Sequence, residues 1–320
     1  MKAIRVEFFG GPEVLKLQDV PNPTAGAAQV VVSTRAIGVN PVDTYIRAGK
    51  YGPRSFPFTP GSDAAGVVES VGAGVNQFKP GDRVYIYGSI TGTYASKILC
   101  SVDHLHPLPE RLSFEQGAAI GVPYGTAYRA MFIRGRAMPM EWVLIHGASG
   151  GVGTAAVQLA AQHGCRVLGT AGTAEGLALV KKLGAIESFH HGLGGYEEQI
   201  LKQTEGHGLD LIIEMLADKN LDRDLALLAK SGRVVIVGNR GRTEIDARQT
   251  MVKDSDIRGM SLMHADTAEL ARIFAHLGAG FASGAIAPII GPRFDLADAP
   301  RAHEAILKPG ALGKLVLTVQ

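Results

Sequence analysis

From Trp142 onward the chain alternates short apolar runs with helical stretches, and this alternation constrains the fold most. WVLIHG leads to TAAVQLAAQHG, CRVLGTA to AEGLALVKKLG, IESFHH to YEEQILKQTEG, and LDLIIEML to LDRDLALLAKSG. RVVIVGN follows, and DIRGMSLM leads to ADTAELARIFAHLGAG. The apolar runs are continuous rather than alternating, as in strands covered by helices on both faces. A β-α unit repeated about six times predicts an α/β fold with a doubly wound parallel sheet.

The first ~120 residues follow a different grammar. KAIRVEFF, VLKLQDV, QVVVSTRAIGV, AAGVVESVG and DRVYIYG are short β-branched runs, punctuated by GGP, PNP, VGAG and KPGD. This predicts a β-rich domain, a compact and partly closed barrel. The linker falls at Val122–Gly125, and APIIG, AHEAIL and GKLVLTV read as a late return to the first domain. The expected division is therefore 1–122 completed by 284–320, with 123–283 as the nucleotide-binding part.

A net charge of +2, scattered without runs, argues against nucleic acid or an anionic membrane as the main partner. Two cysteines, Cys100 and Cys165, supply neither a disulfide framework nor a four-cysteine zinc site. Both are expected to be buried small hydrophobes, and Trp142 a packing residue. No signal core and no apolar run of roughly 20 residues is visible, so a cytoplasmic soluble protein is expected.

LIHGASGGVGTAAVQLA (Leu144–Ala160) permits two chemistries. Gly147 to Gly151 fit G-x-S-x-G, the elbow that presents a nucleophilic serine. Ala148, Gly150 and Gly153 also fit G-x-G-x-x-G with alanine in first place, the turn that admits a dinucleotide pyrophosphate. A hydrolase needs an acid and a histidine downstream; Asp210 and His264 are available, but in no recognisable loop motif. The first strand of an α/β run is where a cofactor loop belongs, and the helix that follows aims free N–H groups at a phosphate. The cofactor reading is the stronger.

The second strand ends in Thr170, Ala171, Gly172 and Thr173, with no acid before Glu175. An acid there would hold the ribose 2′-hydroxyl of NAD; hydroxyls instead favour NADP. Lys181, Lys182 and His191 are the candidate cations for the 2′-phosphate. On the residues alone all three read more readily as solvated side chains, the two lysines most of all.

GGPEVLKL, GVNPVDTYIRAGKY, TPGSDAAGVVESVG, KPGDRV, FEQGAAIGVPYGTAYRA, HGASGGVG, GTAGTAEG, IIEMLA, GRVVIVGNRG and GKLVL resemble, end to end, the zeta-crystallin-type NADPH:quinone oxidoreductases. These form a zinc-free branch of the medium-chain dehydrogenases/reductases. The resemblance implies a GroES-like catalytic domain and a Rossmann domain, with NADPH in the cleft between them. Zinc-dependent relatives carry a Cys and a His-Glu pair where this chain has Asn40 and Ser62-Asp63, and Asn and Ser are poor zinc ligands. A metal-free enzyme is expected. A quinone is already a strong electron acceptor and needs no Lewis acid.

The resemblance implies these site residues. Asn40 and Tyr45 lie beside the nicotinamide, with Thr126 behind the ring. Ser149, Gly150, Gly151 and Val152 wrap the pyrophosphate. Gly172 and His191 lie at the adenosine phosphate, and Asn220 follows the fourth strand. Val237, Gly238, Asn239 and Arg240, with Met260, Ser261 and Leu262, flank the nicotinamide ribose. Tyr51 lines the substrate mouth and, with Asn40, is the catalytic candidate. Asp43 reads as a turn former after Pro41. Gly176 replaces a lysine that some bacterial relatives use on the 2′-phosphate.

The rivals are a metal-free enoyl-thioester or alkenal reductase and a non-catalytic NADPH-binding protein, structural or RNA-associated. The expected partners are a small quinone and further copies of the chain, as a dimer or tetramer.

Overall fold

Glycine and proline cut the first part of the chain into short strands. In the computed structural model, which describes residues 1–319, β1 (Lys2–Arg5) pairs antiparallel with β2 (Lys16–Asp19). Then come β3 (Gln29–Gly38), α1 (Pro41–Arg47), β4 (Asp63–Val71), β5 (Arg83–Tyr87), β6 (Lys97–Ser101), β7 (Leu105–Pro107) and α2 (Phe114–Gly117). Asn40 is the N-cap of α1, Pro41 opens it and Asp43 sits in its first turn. Proline is suited to that place because the first helical N–H has no intrahelical partner.

α3 (Gly121–Tyr128) leads into the alternating part of the chain. There follow β8 (Trp142–Ile145), α4 (Gly151–Gln162), β9 (Arg166–Ala171), α5 (Ala174–Lys182), β10 (Glu187–His190) and α6 (Tyr196–Gln203). The run continues with β11 (Leu209–Glu214), α7 (Ala217–Leu227), β12 (Leu228–Ile236), α8 (Arg248–Lys253), β13 (Asp256–Gly259) and α9 (Thr267–Ser283). Last come β14 (Ile290–Asp295), α10 (Ala299–Ala305) and β15 (Lys314–Thr318).

Two compact units result. The first joins Met1–Val122 to Phe274–Pro309 and the chain from Gly313; the second is Pro123–Ile273 with Gly310–Leu312. The first unit thus takes in the end of α9, where Phe274 packs against Tyr85, Tyr87 and His106. Its seven-stranded sheet has the order β14-β15-β3-β4-β5-β7, with β6 also on β3. The ten-residue β3 shares one edge between two partners: Gln29–Ser33 pair with β6, and Ala36–Gly38 with β15. Val30, Val32, Ile37, Ile86, Ile98 and Leu317 form its core.

The second unit is a six-stranded sheet in the order β10-β9-β8-β11-β12-β13, with every pairing parallel. Counted from β8, that is 3-2-1-4-5-6, the doubly wound order. Val143, Leu144, Ile145, Leu211, Ile212 and Ile213 are fully buried. Each such side chain contributes roughly 1.5–3 kcal/mol on leaving water. Strand order reverses between β8 and β11, so a crevice opens beyond their C-terminal ends, and the glycine-rich turn lies there. Among the described residues no helix is long and apolar enough to cross a membrane.

Candidate active site

In the second unit the turn His146–Gly150 joins β8 to α4, with Gly150 as N-cap. Gly147 has φ +56°, which a side chain disfavours. A Cβ on Gly153 would collide with the Gly147 carbonyl and come within 2.6 Å of Ala148 Cα, so only hydrogen fits where α4 crosses the turn. Gly150 is different. Its φ is −81°, and a Cβ would meet only Gly147 O at 3.5 Å and Ala311 Cβ at 3.6 Å. The backbone does not demand glycine there; the missing side chain leaves room over the first turn of α4. The opening N–H groups of that twelve-residue helix have no intrahelical partner. The loop therefore fits an anionic pyrophosphate.

It does not fit a nucleophilic serine. Ser149 is buried and its hydroxyl donates to Ala311 O at 2.7 Å. His146 uses Nδ1 on Thr170 Oγ1 and Nε2 on Asp224 Oδ1, at 3.2 and 2.9 Å. Asp210 lies at the foot of β11, the end of the sheet away from Ser149, where it accepts from Trp142 N–H and contacts His207.

Beneath the loop lies a buried polar cluster that sequence reasoning missed. His146, Glu214 and Asp224 are all buried, and Thr170 Oγ1 accepts from Gly147 N–H, tying the cluster to the turn. Burial alone would lower the His146 pKa; the Asp224 charge and hydrogen bond, then Glu214, outweigh it, and the net shift is upward. Burial pushes the Glu214 carboxyl up to about 7. Asn220 Nδ2 donates to both oxygens of Glu214 at 3.2 Å, and its Oδ1 accepts from Arg223. Asn220 is thus a brace for Glu214. The three ligand atoms lie within 4.8 Å of one another. Their hydrogen-bonded spacing is a proton-sharing one; a zinc ion needs about 2.0–2.2 Å to each ligand and would push the His146–Asp224 pair apart.

Gly172 follows β9, and a Cβ there would come 3.0 Å from His191 Nε2, so these two expected neighbours do meet. Burial and the nearby His146 and His190 lower the His191 pKa. Thr173 caps α5 by accepting from Gly176 N–H. A Cβ on Gly176 would sit 3.1 Å from both Ala171 Cβ and Ser149 Cβ, which leaves a lysine there little room. Lys181 pairs with Glu187. Thr126 is buried on α3. Val237, Gly238, Asn239 and Arg240 follow β12, where Val237 N–H donates to Glu214 O and Arg240 N–H to Asp218. Met260 N–H donates to Ile236 O; Ser261 O accepts from Arg129; Leu262 is buried. Gly172, Thr173 and the segments after β12 and β13 lie beyond the C-terminal ends of the strands, whereas Lys181, a candidate for the 2′-phosphate, lies at the opposite end, where Glu187 opens β10. Cys165 corrects an expectation: Cys100 is buried, but Cys165 is only partly so, because it sits in the turn before β9.

In the first unit Asn40, Asp63 and Lys314 form one buried group. Lys314 Nζ donates to Asn40 Oδ1 and, at 3.2 Å, to Asp63 Oδ2; Asn40 Nδ2 donates to Asp63 Oδ2 at 2.9 Å. Val122 N–H donates to Asp63 Oδ1 at 2.7 Å. Burial pushes the Asp63 carboxyl up and the Lys314 ammonium down, and their mutual attraction opposes both shifts. Both ends of the Asn40 amide are thereby committed. Lys314 Nζ thus reaches both Asn40 and Asp63, two of the positions at which the resemblance places zinc ligands in metal-dependent relatives.

Asp43 is no mere turn former. It is 1% exposed, and its Oδ2 accepts from Asn40 N–H at 2.8 Å and from Tyr94 at 3.2 Å, while Oδ1 has no partner. The NPVD spacing, with proline in first place and an acid in the first turn, was the signal available. Tyr45 and Tyr51 meet with parallel rings 6.5 Å apart, and Tyr51 is 51% exposed. Asp43 also lines a cavity of about 420 Å³ with Arg5, Arg54, Thr59, Ser62 and Ser89.

Comparison with known proteins agrees with this architecture. Residues 26–110 match the alcohol dehydrogenase GroES-like domain, and 151–276 the zinc-binding dehydrogenase family. A quinone oxidoreductase of Rattus norvegicus is 50% identical over 320 residues, 99% of this chain and 97% of its own. The crystal structure of Escherichia coli quinone oxidoreductase complexed with NADPH superposes with a TM-score of 0.89 at 31% identity, covering 100% of both chains. An NAD-dependent alcohol dehydrogenase does so at 0.93 and 28%, again covering 100% of both. At 50% identity over nearly its whole length, the chain belongs to the quinone oxidoreductase family of the medium-chain dehydrogenases/reductases.

Proposed function

We propose that this protein is a zeta-crystallin-type enzyme that reduces quinones with NADPH and uses no catalytic metal. The observation that carries the reading is the end-to-end identity with the rat quinone oxidoreductase. The cofactor supplies the electrons, singly or as a hydride; the protein supplies orientation and a shielded pocket. Gly150, Gly151, Val152 and the first turn of α4 are assigned to its pyrophosphate, and Ser149 to the wall of that turn. Gly172 and His191 are assigned to the adenosine phosphate. The loops holding Val237 to Arg240 and Met260 to Leu262 are assigned to the nicotinamide ribose, with Thr126 behind the ring. Tyr45 and Tyr51 are assigned to the nicotinamide end and the quinone mouth. Asn40 positions rather than reacts, since Lys314 and Asp63 hold its amide.

The absence of a zinc requirement follows from the donor set. Asn40 and Ser62 replace soft or imidazole ligands, and Lys314 already neutralises Asp63. That donor set also separates this chain from an alcohol dehydrogenase, in which a zinc ion makes loss of the hydroxyl proton easy. Quinone and crotonyl-CoA panels with NADPH, ethanol with NADP, and elemental analysis test the reading. Quinone turnover, no alcohol oxidation and far less than one zinc per chain are expected. Crotonyl-CoA outperforming every quinone would move the assignment to an enoyl reductase, and one tightly held zinc would end the metal-free part.

A homodimer in the cytoplasm completes the proposal. β13 lies at the end of the six-stranded sheet, where a second copy can pair with it. Light scattering in solution and cell fractionation test the two statements.

A further inference from the structure

The helical run that carries Thr126 changes its winding just beyond it. α3 ends at Tyr128, and Arg129–Arg134 is a π-helical turn, after which Gly135 N–H donates to Ala130 O at 2.7 Å. In such a turn residue i bonds residue i+5, so Arg129 and Arg134 stand over one another. At 3.6 residues per turn they would lie about 140° apart. Both arginines reach one short segment. Arg129 Nη1 donates to Ser261 O at 3.1 Å and Arg134 Nε to Gly259 O at 3.1 Å, the carbonyls on either side of Met260. Met260 N–H itself donates to Ile236 O at 3.0 Å, and Arg258 in β13 returns a bond from Nη1 to Arg134 O at 2.9 Å. All of these residues belong to the second unit.

We propose that Arg129 and Arg134 are positioning residues for the nicotinamide half of NADPH: the π-turn is a two-pronged clamp that fixes the Met260–Leu262 segment relative to Thr126. The inference rests on the assignment above of that segment to the nicotinamide ribose and of Thr126 to the back of the ring. It adds what holds the two together. Thr126 precedes the first strand of the six-stranded sheet and Met260 follows its last, so the strand ladder alone does not fix their spacing. Two arginines on the helical run of Thr126, bonded to the carbonyls that flank Met260, do fix it.

Arg129 is itself held. Its Nε donates to Glu269 Oε1 at 2.5 Å, and the two side chains are only 11% and 15% exposed. Glu269 is in the first turn of α9, where a carboxylate is favoured by the helix dipole, and its N–H donates to Asp266 Oδ1 at 2.7 Å. The planar guanidinium thus serves a carboxylate with Nε and a carbonyl with Nη1 at once. A lysine ammonium is a point charge without that fork. Arg134 is exposed, so its prong is the weaker.

The test titrates NADPH and 2′,5′-ADP, which keeps the adenosine-phosphate end and lacks the nicotinamide half, into the parent, Arg129→Lys, Arg129→Met and Arg134→Met, with melting curves alongside. Arg129→Lys keeps a cation for Glu269 and should melt close to the parent. Its NADPH affinity should nevertheless fall about tenfold, while 2′,5′-ADP affinity stays within about twofold of parental. Quinone kcat at saturating NADPH should fall as well, since a misplacement of about 1 Å can cost roughly a hundredfold. Arg129→Met should lose more than the lysine variant, and Arg134→Met about threefold in NADPH affinity. Parental NADPH affinity and kcat in Arg129→Lys overturn the proposal, and parental values in Arg134→Met overturn its second prong. A variant whose 2′,5′-ADP affinity falls as far as its NADPH affinity overturns it too, because the damage is then to the fold and not to the nicotinamide side. If Arg129→Met does not fold, Arg129→Lys decides. A parent that binds NADPH but reduces no quinone defeats the quinone reading alone, and the two titrations still judge the clamp.

Discussion

Each unit buries a network of carboxylates and a histidine, and the two networks end differently. In the second, His146, Asp224 and Glu214 run out onto backbone: Thr170 accepts from Gly147 N–H, and Leu216 and Val237 donate to Glu214 side-chain and main-chain oxygens. Its output is the shape of a turn. In the first, Arg47, His303 and Tyr94 lead to Asp43, whose Oδ1 has no partner and whose neighbours line a cavity. Its output is a titratable group beside space for a ligand. Similar residue types at similar burial thus brace a turn in one unit and stand beside a cavity in the other. Each network also holds one buried carboxylate oxygen without a partner, Asp224 Oδ2 and Asp43 Oδ1, so the neighbouring cavity, not the orphaned oxygen, separates the two.

The largest effect should come from breaking the ion pair beside Asp43. Lys314→Met fits the space but leaves Asp63 buried without its cation. Removing one partner of a buried pair costs about 3–5 kcal/mol. Denaturant melts should show that loss, with much of it restored in a Lys314→Met/Asp63→Asn double variant. A single variant as stable as the parent would mean the pair is not ionic. Next is the turn of the second unit. Gly150→Val adds a side chain where only ordinary contacts exist, so the fold should survive. NADPH affinity should fall at least tenfold, because the added group occupies the room over the first turn of α4. An unchanged NADPH titration would reassign the loop.

The pH dependence of stability compares both networks in one measurement. Folded Asp43 and Glu214 are raised to about 7 from ordinary values of 3.8 and 4.5. A carboxyl that binds its proton more tightly in the fold stabilises fully below its unfolded value and loses that contribution as pH climbs through its folded one. His146, also raised, acts in the same sense, present below about 6.5 and lost above its folded value. His303, lowered to about 3, works the other way, its contribution present above 6.5 and lost as pH falls toward 3. Between about pH 5 and 8, Asp43→Asn and Glu214→Gln should therefore each have a flatter Tm curve than the parent. A variant curve parallel to the parental one shows that its carboxyl does not hold the proton.

The second unit was the legible one. Its strands announce themselves because helices cover both faces, and the glycine turn carries its reason in local sequence: only hydrogen fits at Gly153. The first unit's chemistry was not legible because it is assembled from afar. Asn40 and Lys314 are 274 positions apart, and Tyr94 and His303 209. A lysine opening the run KLVLT reads as a strand-head charge in solvent, yet β15 carries it into the core beside Asp63. Asp43 reads as a helix-start acid, which it is; its orphaned oxygen is a property of the packing around it. In the second unit His146 was passed over for the same reason, since Asp224 and Glu214 reach it from α7 and β11.

The smallest effect concerns coenzyme choice, and it tests whether the second network reaches the nucleotide. His191 stands against Gly172, where the 2′-phosphate of NADPH is assigned. Burial, with His146 and His190 nearby, lowers its pKa, so at neutral pH the free ring offers a hydrogen bond without a charge. A neutral hydrogen bond contributes about 0.5–1.5 kcal/mol net, against roughly 1.5–3 for a charged one. His191→Ala should therefore narrow the NADPH-over-NADH preference by about two- to tenfold. Lowering the pH below neutral should widen the parental preference, as the ring gains its proton beside the phosphate, and should leave the variant's unchanged. Replacing Asp224 by Asn weakens the hold on the His146 charge that depresses His191, so the parental pH response should move upward in that variant. Specificity constants for both coenzymes across this range decide it: a preference that ignores both pH and His191 assigns the phosphate to other groups.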